Sequence, residues 1–295
     1  MSEGMRKKRY SVVEYVIGNY ELVHEIGEKD PEAEYLLITD NPELKSTTWE
    51  IVFDESLVGK PLFEKCYSIR FGVFKYCHTD ICLRVDASVQ IHRSLKALID
   101  AFEEDSYDMA LMPHPVRYDI REEYDVWVQQ RGYPKQQAER CLKAMAERGY
   151  DFDFRGLFQG GFIITRCNEV SRRIEAGVLE LLRELGTNGD VERIDQTIFS
   201  FLMNMKYSHL KVLPVSERLF HSDLMTICYH GTGIENPGLL YDLDVADVKW
   251  MFNKMTACRY FYVGGSRTLE LRRIGQRVVG AGNELWQRMK ERSRI

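Results

Sequence analysis

The sequence predicts an α/β fold, a single mixed sheet flanked by helices on both faces, and three observations carry that expectation. Short β-branched or apolar runs alternate with longer helical stripes over most of the chain, the pattern of strands feeding helices across a layered sheet. The runs stop on polar signals, Gly18-Asn19, Thr39-Asp40-Asn41, Asp86-Ala87-Ser88 and His114, and in such sheets ligands sit outside the carboxyl ends of the strands. With 295 residues, 44% of them hydrophobic, the chain can also fill a large core.

The first strand is expected at 11–17 (SVVEYVI), ended by Gly18-Asn19-Tyr20. A second at 35–38 runs into Thr39-Asp40-Asn41-Pro42, and a brief third spans 49–53. Pro61 suits a first helical turn, and Phe63, Cys66, Tyr67, Val73, Phe74 and Cys77 fall roughly on one side of a helix over 61–77. Residues 81–85 form the strand that ends on Asp86. Ser94 suits the cap of a helix carrying Leu95, Leu98, Ile99 and Phe102. The apolar run 109–112 is stopped by Pro113-His114-Pro115. Asp119 and Glu122 make a capping-box-like pair ahead of Ile120, Tyr124, Trp127 and Val128, and Pro134 starts a helix that ends near Gly149. A strand at 158–165 contains Gly160-Gly161. Asn168 then caps a helix with Val170, Ile174, Val178, Leu181 and Leu185 on one face and Gly186 beyond it. A shorter helix at 195–205 and a late strand at 211–215 complete the series.

No linker interrupts this series before about residue 235, so residues 10–235 read as one domain and 236–295 as a C-terminal helical extension. In the extension Leu271, Ile274, Val278, Leu285 and Met289 keep a helical stripe, with most of the basic side chains from Arg272 to Arg294 off it. Such a helix can lie on an anionic membrane surface, or pack on the main domain with a solvated basic face. A net charge of −5 argues against nucleic acid as a partner. No apolar run is long enough to span a bilayer, and residues 1–9 lack a signal-peptide core. Seven cysteines without a C-x-x-C pair suggest reduced thiols. These features predict a cytoplasmic protein, at most peripheral on the inner face of a membrane.

Asp86 and Ser88 are the first candidates for chemistry. In extended backbone two residues two apart project to the same face, and a pair of oxygens there suits Mg²⁺ or Mn²⁺, which can bridge to phosphates. The same triplet also makes an ordinary turn.

Several segments together carry a resemblance: 14–22 (EYVIGNYEL), Ile38-Thr39-Asp40-Asn41 with Trp49 downstream, Val85-Asp86-Ala87-Ser88, His114-Pro115-x-Arg117 with Glu122-Glu123, and Asp195-Gln196 before Phe199. In this order and at these intervals, over roughly residues 12–205, they resemble a glycosyltransferase-like family of bacteria and plants that includes the plant mucilage-related proteins. It belongs with the nucleotide-sugar transferases of the GT-A fold, nearest in style to the family 8 retaining hexosyltransferases.

The resemblance implies a GT-A (Rossmann-like) sheet, a UDP-sugar donor, and a glycan or glycolipid acceptor in cell-surface polysaccharide synthesis. It places base and ribose against Tyr15, Gly18 and Asn19, with Asp40 and Asn41 from the second strand end; Gly18-Asn19 equally suits a plain turn. Asp86 and Ser88 match the Asp-x-Asp metal signature, with serine giving the cation less compensating charge. His230, then His221, would complete the shell around Mn²⁺ or Mg²⁺, and Lys65 or Arg70 would meet the diphosphate. Asp195-Gln196 match the pair beside the reacting sugar carbon, where oxygens stabilise developing positive charge. With retention Gln196 sits on the β face and Asp195 holds sugar hydroxyls; with inversion Asp195 or Glu123 deprotonates the acceptor. Without the resemblance, Asp195 reads as a helix cap. Gly160 and Gly161 would let backbone approach the sugar, or mark a bulge. His114, Arg117, Glu122 and Glu123 fall where acceptor or sugar contacts are expected. Two other functions compete: a metal-dependent hydrolase acting on a phosphate or glycolipid at Asp86, and a non-catalytic nucleotide- or glycan-binding module.

Overall fold

Near-continuous apolar runs, buried on both faces, build the centre of the molecule. The computed structural model describes residues 7–114, 120–130, 134–150, 152, 156–185, 194–220 and 222–228. Its strands are β1 (Tyr10–Val16), β2 (Ala33–Thr39), β3 (Glu50–Phe53), β4 (Ile81–Val85), β5 (Val89–Ile91), β6 (Met109–Pro113), β7 (Phe158–Arg166), β8 (Val212–Pro214) and β9 (Met225–Ile227). Seven of them form one sheet in the order β3-β2-β1-β4-β7-β6-β8; β5 and β9 form a separate antiparallel pair. Every pairing in the large sheet is parallel except the two made by β7. All seven residues of β1 and all five of β4 are buried, as central strands covered on both faces must be. The segment β3-β2-β1-β4 has the order of a Rossmann half, and strand order reverses between β1 and β4, the place where such sheets open a ligand crevice.

The helices are α1 (Leu62–Arg70), α2 (Lys96–Glu104), α3 (Ile120–Gln130), α4 (Lys135–Glu147), α5 (Glu169–Glu184) and α6 (Asp195–Met205). One face of the sheet carries α2, whose Leu98, Ile99 and Phe102 pack with Tyr10, Val12 and Leu83. On the other face Ile69 of α1 packs with Val13, Leu36 and Ile38, while α4, α5 and α6 cover Leu111 and Ile163. Each fully buried side chain of this size contributes about 1.5–3 kcal/mol by leaving water.

Several elements differ from the sequence expectation for local reasons. The helix expected over 61–77 ends at Arg70, and a 3₁₀ turn over Val73–Lys75 follows. Between them Gly72 turns the chain so tightly that a Cβ there would lie 2.4 Å from the Ser68 carbonyl oxygen. The β5–β9 pair was not expected. Ser94 precedes the Leu95 N-cap of α2, its Oγ accepting the Lys96 N–H at 3.3 Å. Asn168 does cap α5, accepting the Ser171 N–H at 3.0 Å. No helix among the described residues is long and apolar enough to cross a membrane. The extension at 236–295 lies outside the described residues, as do Arg117, His221 and His230.

The long connection between β1 and β2 is held at Gly27, whose N–H donates to the Ile91 carbonyl at 2.9 Å. A Cβ on Gly27 would stand 2.3 Å from the His92 carbonyl oxygen, which is backbone and cannot swing aside. Gly27→Ala is expected to destabilise the fold by about 1–3 kcal/mol through overpacking, read as a lower urea midpoint with an unchanged slope.

Candidate functional site

A cavity of about 380 Å³ opens at the carboxyl ends of β1 and β4, within the size range of small-ligand sites. Tyr15 and Ile17 reach it from β1, Asp86 and Ser88 from the turn after β4, Gly160 and Gly161 from β7, and Asp195 and Gln196 from the first turn of α6. His114, just past β6, and Glu123 on α3 line another wall. Because β7 runs against its neighbours, its first residues meet the last residues of β4: Val85 pairs with Phe162, and the Asp86 N–H donates to the Gly161 carbonyl at 3.0 Å.

Arg70, the last residue of α1, ties these segments together. Its Nη2 donates to Asp86 Oδ1 at 2.7 Å, its Nε to the Tyr15 hydroxyl at 2.9 Å, and its Nη1 to Asp195 Oδ2. Tyr15 in turn donates to Asp86 Oδ1 at 3.2 Å. The guanidinium is 18% exposed, the Asp195 side chain 4% and the Asp86 side chain 30%, so the Asp195 arm is shielded from water and the Asp86 arm faces the opening; a fork spanning two carboxylates is a strong arrangement. Burial opposes the charge on Arg70, but Asp86, Tyr15 and Asp195 outweigh it and hold the group well above its ordinary pKa.

The paired glycines have a definite reason. A Cβ on Gly160 would sit 3.2 Å from Arg70 Nη1, and one on Gly161 would sit 3.4 Å from Asp86 Oδ2. The close neighbours of this bare backbone are the protein's own fork and carboxylate. Gln196 is fixed to the same strand, its Oε1 accepting the Gly160 N–H at 3.2 Å. Asp195 is no helix cap: Ile194 holds that position, and the Asp195 carboxylate faces Arg70.

Gly18, Asn19, Asp40, Asn41 and Lys65 form a neighbouring cluster and are not among the lining residues. Asp40 accepts from the Gly18 N–H at 2.8 Å and from Lys65 Nζ at 2.6 Å, and Asn41 Nδ2 donates to Asn19 Oδ1 at 3.0 Å. Burial works against ionisation of Asp40, yet Lys65 and the Gly18 N–H keep its carboxyl below the ordinary value. Lys65 thus holds α1 to the end of β2. Gly18 and Asn19 both have positive φ, 62° and 55°, a left-handed turn that these residue types tolerate. Glu122 does not line the cavity, although its neighbour Glu123 does.

Sequence reasoning missed the centre of the site. Arg70 figured only as an alternative phosphate contact, and the aromatic wall of Phe63 and Tyr67 on α1 only as core. The spacing of Phe63, Cys66, Tyr67 and Arg70 on one helical face was the available signal. Glu14 was missed as well. It is fully buried on β1, and neither carboxylate oxygen has a hydrogen-bond partner among the described residues. Burial, reinforced by Asp86 and Glu21, pushes its pKa well above the usual range. Cys66 lines the cavity, but burial pushes its thiol up to about 11, so it is no thiolate nucleophile at neutral pH.

Of the residues expected to hold a divalent cation, Asp86 and Ser88 are described and His230 is not. Among the described residues no group of three or more His, Cys, Asp or Glu side chains is placed to hold a metal ion. Asp86 Oδ1 already accepts from Arg70 and Tyr15. The extended strand end expected to align Asp86 and Ser88 is instead a turn, closed by the Val89 N–H donating to the Asp86 carbonyl at 2.9 Å. Chemically, the cavity offers aromatic faces, buried carboxylates and one guanidinium fork.

No protein-family model matches the chain, and no curated protein matches it in sequence. Fold and site together define an α/β protein with a Rossmann-like mixed sheet and a polar crevice at its switch point.

Proposed function

We propose that the chain is a hexosyltransferase of GT-A type that moves a sugar from a UDP-sugar to a glycan or glycolipid acceptor in cell-surface polysaccharide synthesis. One observation carries the proposal: Tyr15, Asp86, Gly160, Gly161, Asp195 and Gln196, drawn from four separate segments, converge on one cavity at the strand ends. These are the positions that the resemblance assigns to donor binding and catalysis.

In the reaction the acceptor oxygen forms a bond to the anomeric carbon. The bond from that carbon to the diphosphate breaks, and its electron pair leaves on the phosphate. With retention, attack comes from the side that UDP leaves, so the acceptor's proton passes to the departing phosphate oxygen. Asp195 would stabilise positive character on the sugar carbon. Gln196 Oε1 keeps a second lone pair beyond the one used by Gly160, available to the same carbon. Tyr15 would face the nucleotide, and His114 and Glu123 the acceptor. The stripe of basic residues beyond 270 supports a lipid-linked acceptor at an anionic membrane surface.

Thermal unfolding with a panel of nucleotides and nucleotide sugars, with and without Mn²⁺, tests this reading. A shift specific to UDP compounds is expected, and Asp86→Ala should abolish it. No response to any nucleotide would sink the proposal. Sugar release to water without acceptor dependence would favour the hydrolase, and UDP binding without turnover on any acceptor the binding module. The arms with and without Mn²⁺ decide whether the divalent cation implied by the resemblance takes part.

A further inference from the structure

The carboxylates that a divalent cation would need are already bridged from within the protein. Arg70 Nη2 lies 2.7 Å from Asp86 Oδ1, and Nη1 reaches Asp195 Oδ2 from the same plane. The remaining donor edge of the guanidinium, at Nε, is taken by the Tyr15 hydroxyl at 2.9 Å. Gly160 gives Nη1 its room. A hard cation on Asp86 Oδ1 would have to share that oxygen with a guanidinium hydrogen bond, two like charges close together at a part-buried carboxylate.

We infer that Arg70 competes with a divalent cation for Asp86 and so sets the cation chemistry of the site. In the resting site the guanidinium holds Asp86 Oδ1 and disfavours Mn²⁺ and Mg²⁺ there. A ligand with paired anionic oxygens, a diphosphate above all, matches the fork in geometry and can draw it off the carboxylates. Asp86 Oδ1 is then released for a metal. Arg70 is therefore a positioning residue that couples cation affinity to anion binding, and the coupling is reciprocal. The statement about Mn²⁺ stands on the geometry alone; the statement about the diphosphate rests on the function proposed above.

Mn²⁺ binding to the full chain, followed by the loss of the free-ion electron paramagnetic resonance signal, separates the two. Without nucleotide, Arg70→Met is expected to bind Mn²⁺ about tenfold or more tightly than the wild type, because a unit charge a few ångströms away is removed. The gain should vanish when Asp86→Asn is added. Arg70→Lys, which keeps the charge but cannot bridge both carboxylates, should show a smaller gain. It serves as the reading if Arg70→Met melts too low to study. Equal Mn²⁺ affinity in the wild type and both Arg70 variants would overturn the inference, as would a gain that survives Asp86→Asn. With UDP added, Mn²⁺ affinity should rise in the wild type and change little in Arg70→Met. If UDP binds to no form of the protein, the transferase reading fails while the Mn²⁺ comparison still decides the role of Arg70.

Discussion

Under the proposed transfer reaction, Asp195→Asn is expected to lower the rate by about 10²–10³-fold, the usual cost of removing one preorganised group from a developing charge. Asparagine preserves the shape at the start of α6 but removes the negative charge, and it leaves the Arg70 fork with a single carboxylate. The loss should fall on kcat, with the KM for the donor little changed, because the group acts on charge that grows only in the transition state. Initial rates with whichever UDP-sugar stabilises the protein make the measurement. A change confined to KM would reassign Asp195 to donor binding. Losing one partner of a buried ion pair also costs stability, about 1–3 kcal/mol, so thermal unfolding of the variant belongs beside the rates.

Glu14→Met is expected to act in the opposite direction and stabilise the fold by about 1–3 kcal/mol, the penalty of a buried polar group left without partners. For a chain of this size each kcal/mol moves the midpoint by about 2–4 °C. Glu14 sits between Val12 and Val16 on the face of β1 that packs toward α2, where an apolar side chain of similar volume would fit. Its raised pKa adds a pH signature. The folded state keeps a proton that the unfolded chain releases above about pH 4.3. Wild-type stability should therefore fall as pH rises from there toward the native value, by about 1.4 kcal/mol per pH unit. The difference between wild type and Glu14→Met should widen over that window. A constant difference would mean that Glu14 titrates normally.

What could be read from the sequence was local and periodic. The apolar runs of β1, β4 and β7, the Asn168 cap, and the polar residues that stop each strand follow from neighbours a few positions apart. What could not be read was long-range. The direction of β7 and the β5–β9 pair depend on partners far along the chain. The Arg70 bridge joins residues 15, 70, 86 and 195, and no spacing rule connects them. Gly160-Gly161 was visible as an exception within a strand, yet its cause, a guanidinium from α1, was not. Gly72 was the legible sign that the helix over 61–77 would break. The resemblance offered Lys65 or Arg70 for the diphosphate; Arg70 lines the cavity, while Lys65 pairs with Asp40 outside it.

The reversed direction of β7 has an architectural consequence. Pro113 closes β6 directly opposite Phe158, which opens β7, and the pairing continues as the His114 N–H donates to the Leu157 carbonyl at 2.8 Å. Everything between, including α3 and α4, leaves and rejoins the sheet through two adjacent strands about 5 Å apart. His114 at one end, and Gln159 two residues past the other, line the crevice. Such an insert can change in length without altering the register of any other strand, while Ile120, Ala138, Cys141 and Met145 keep it packed on Leu111 and Ile163. The protein thus joins a half that holds the carboxylates and the fork to an inserted wall with Glu123 upon it.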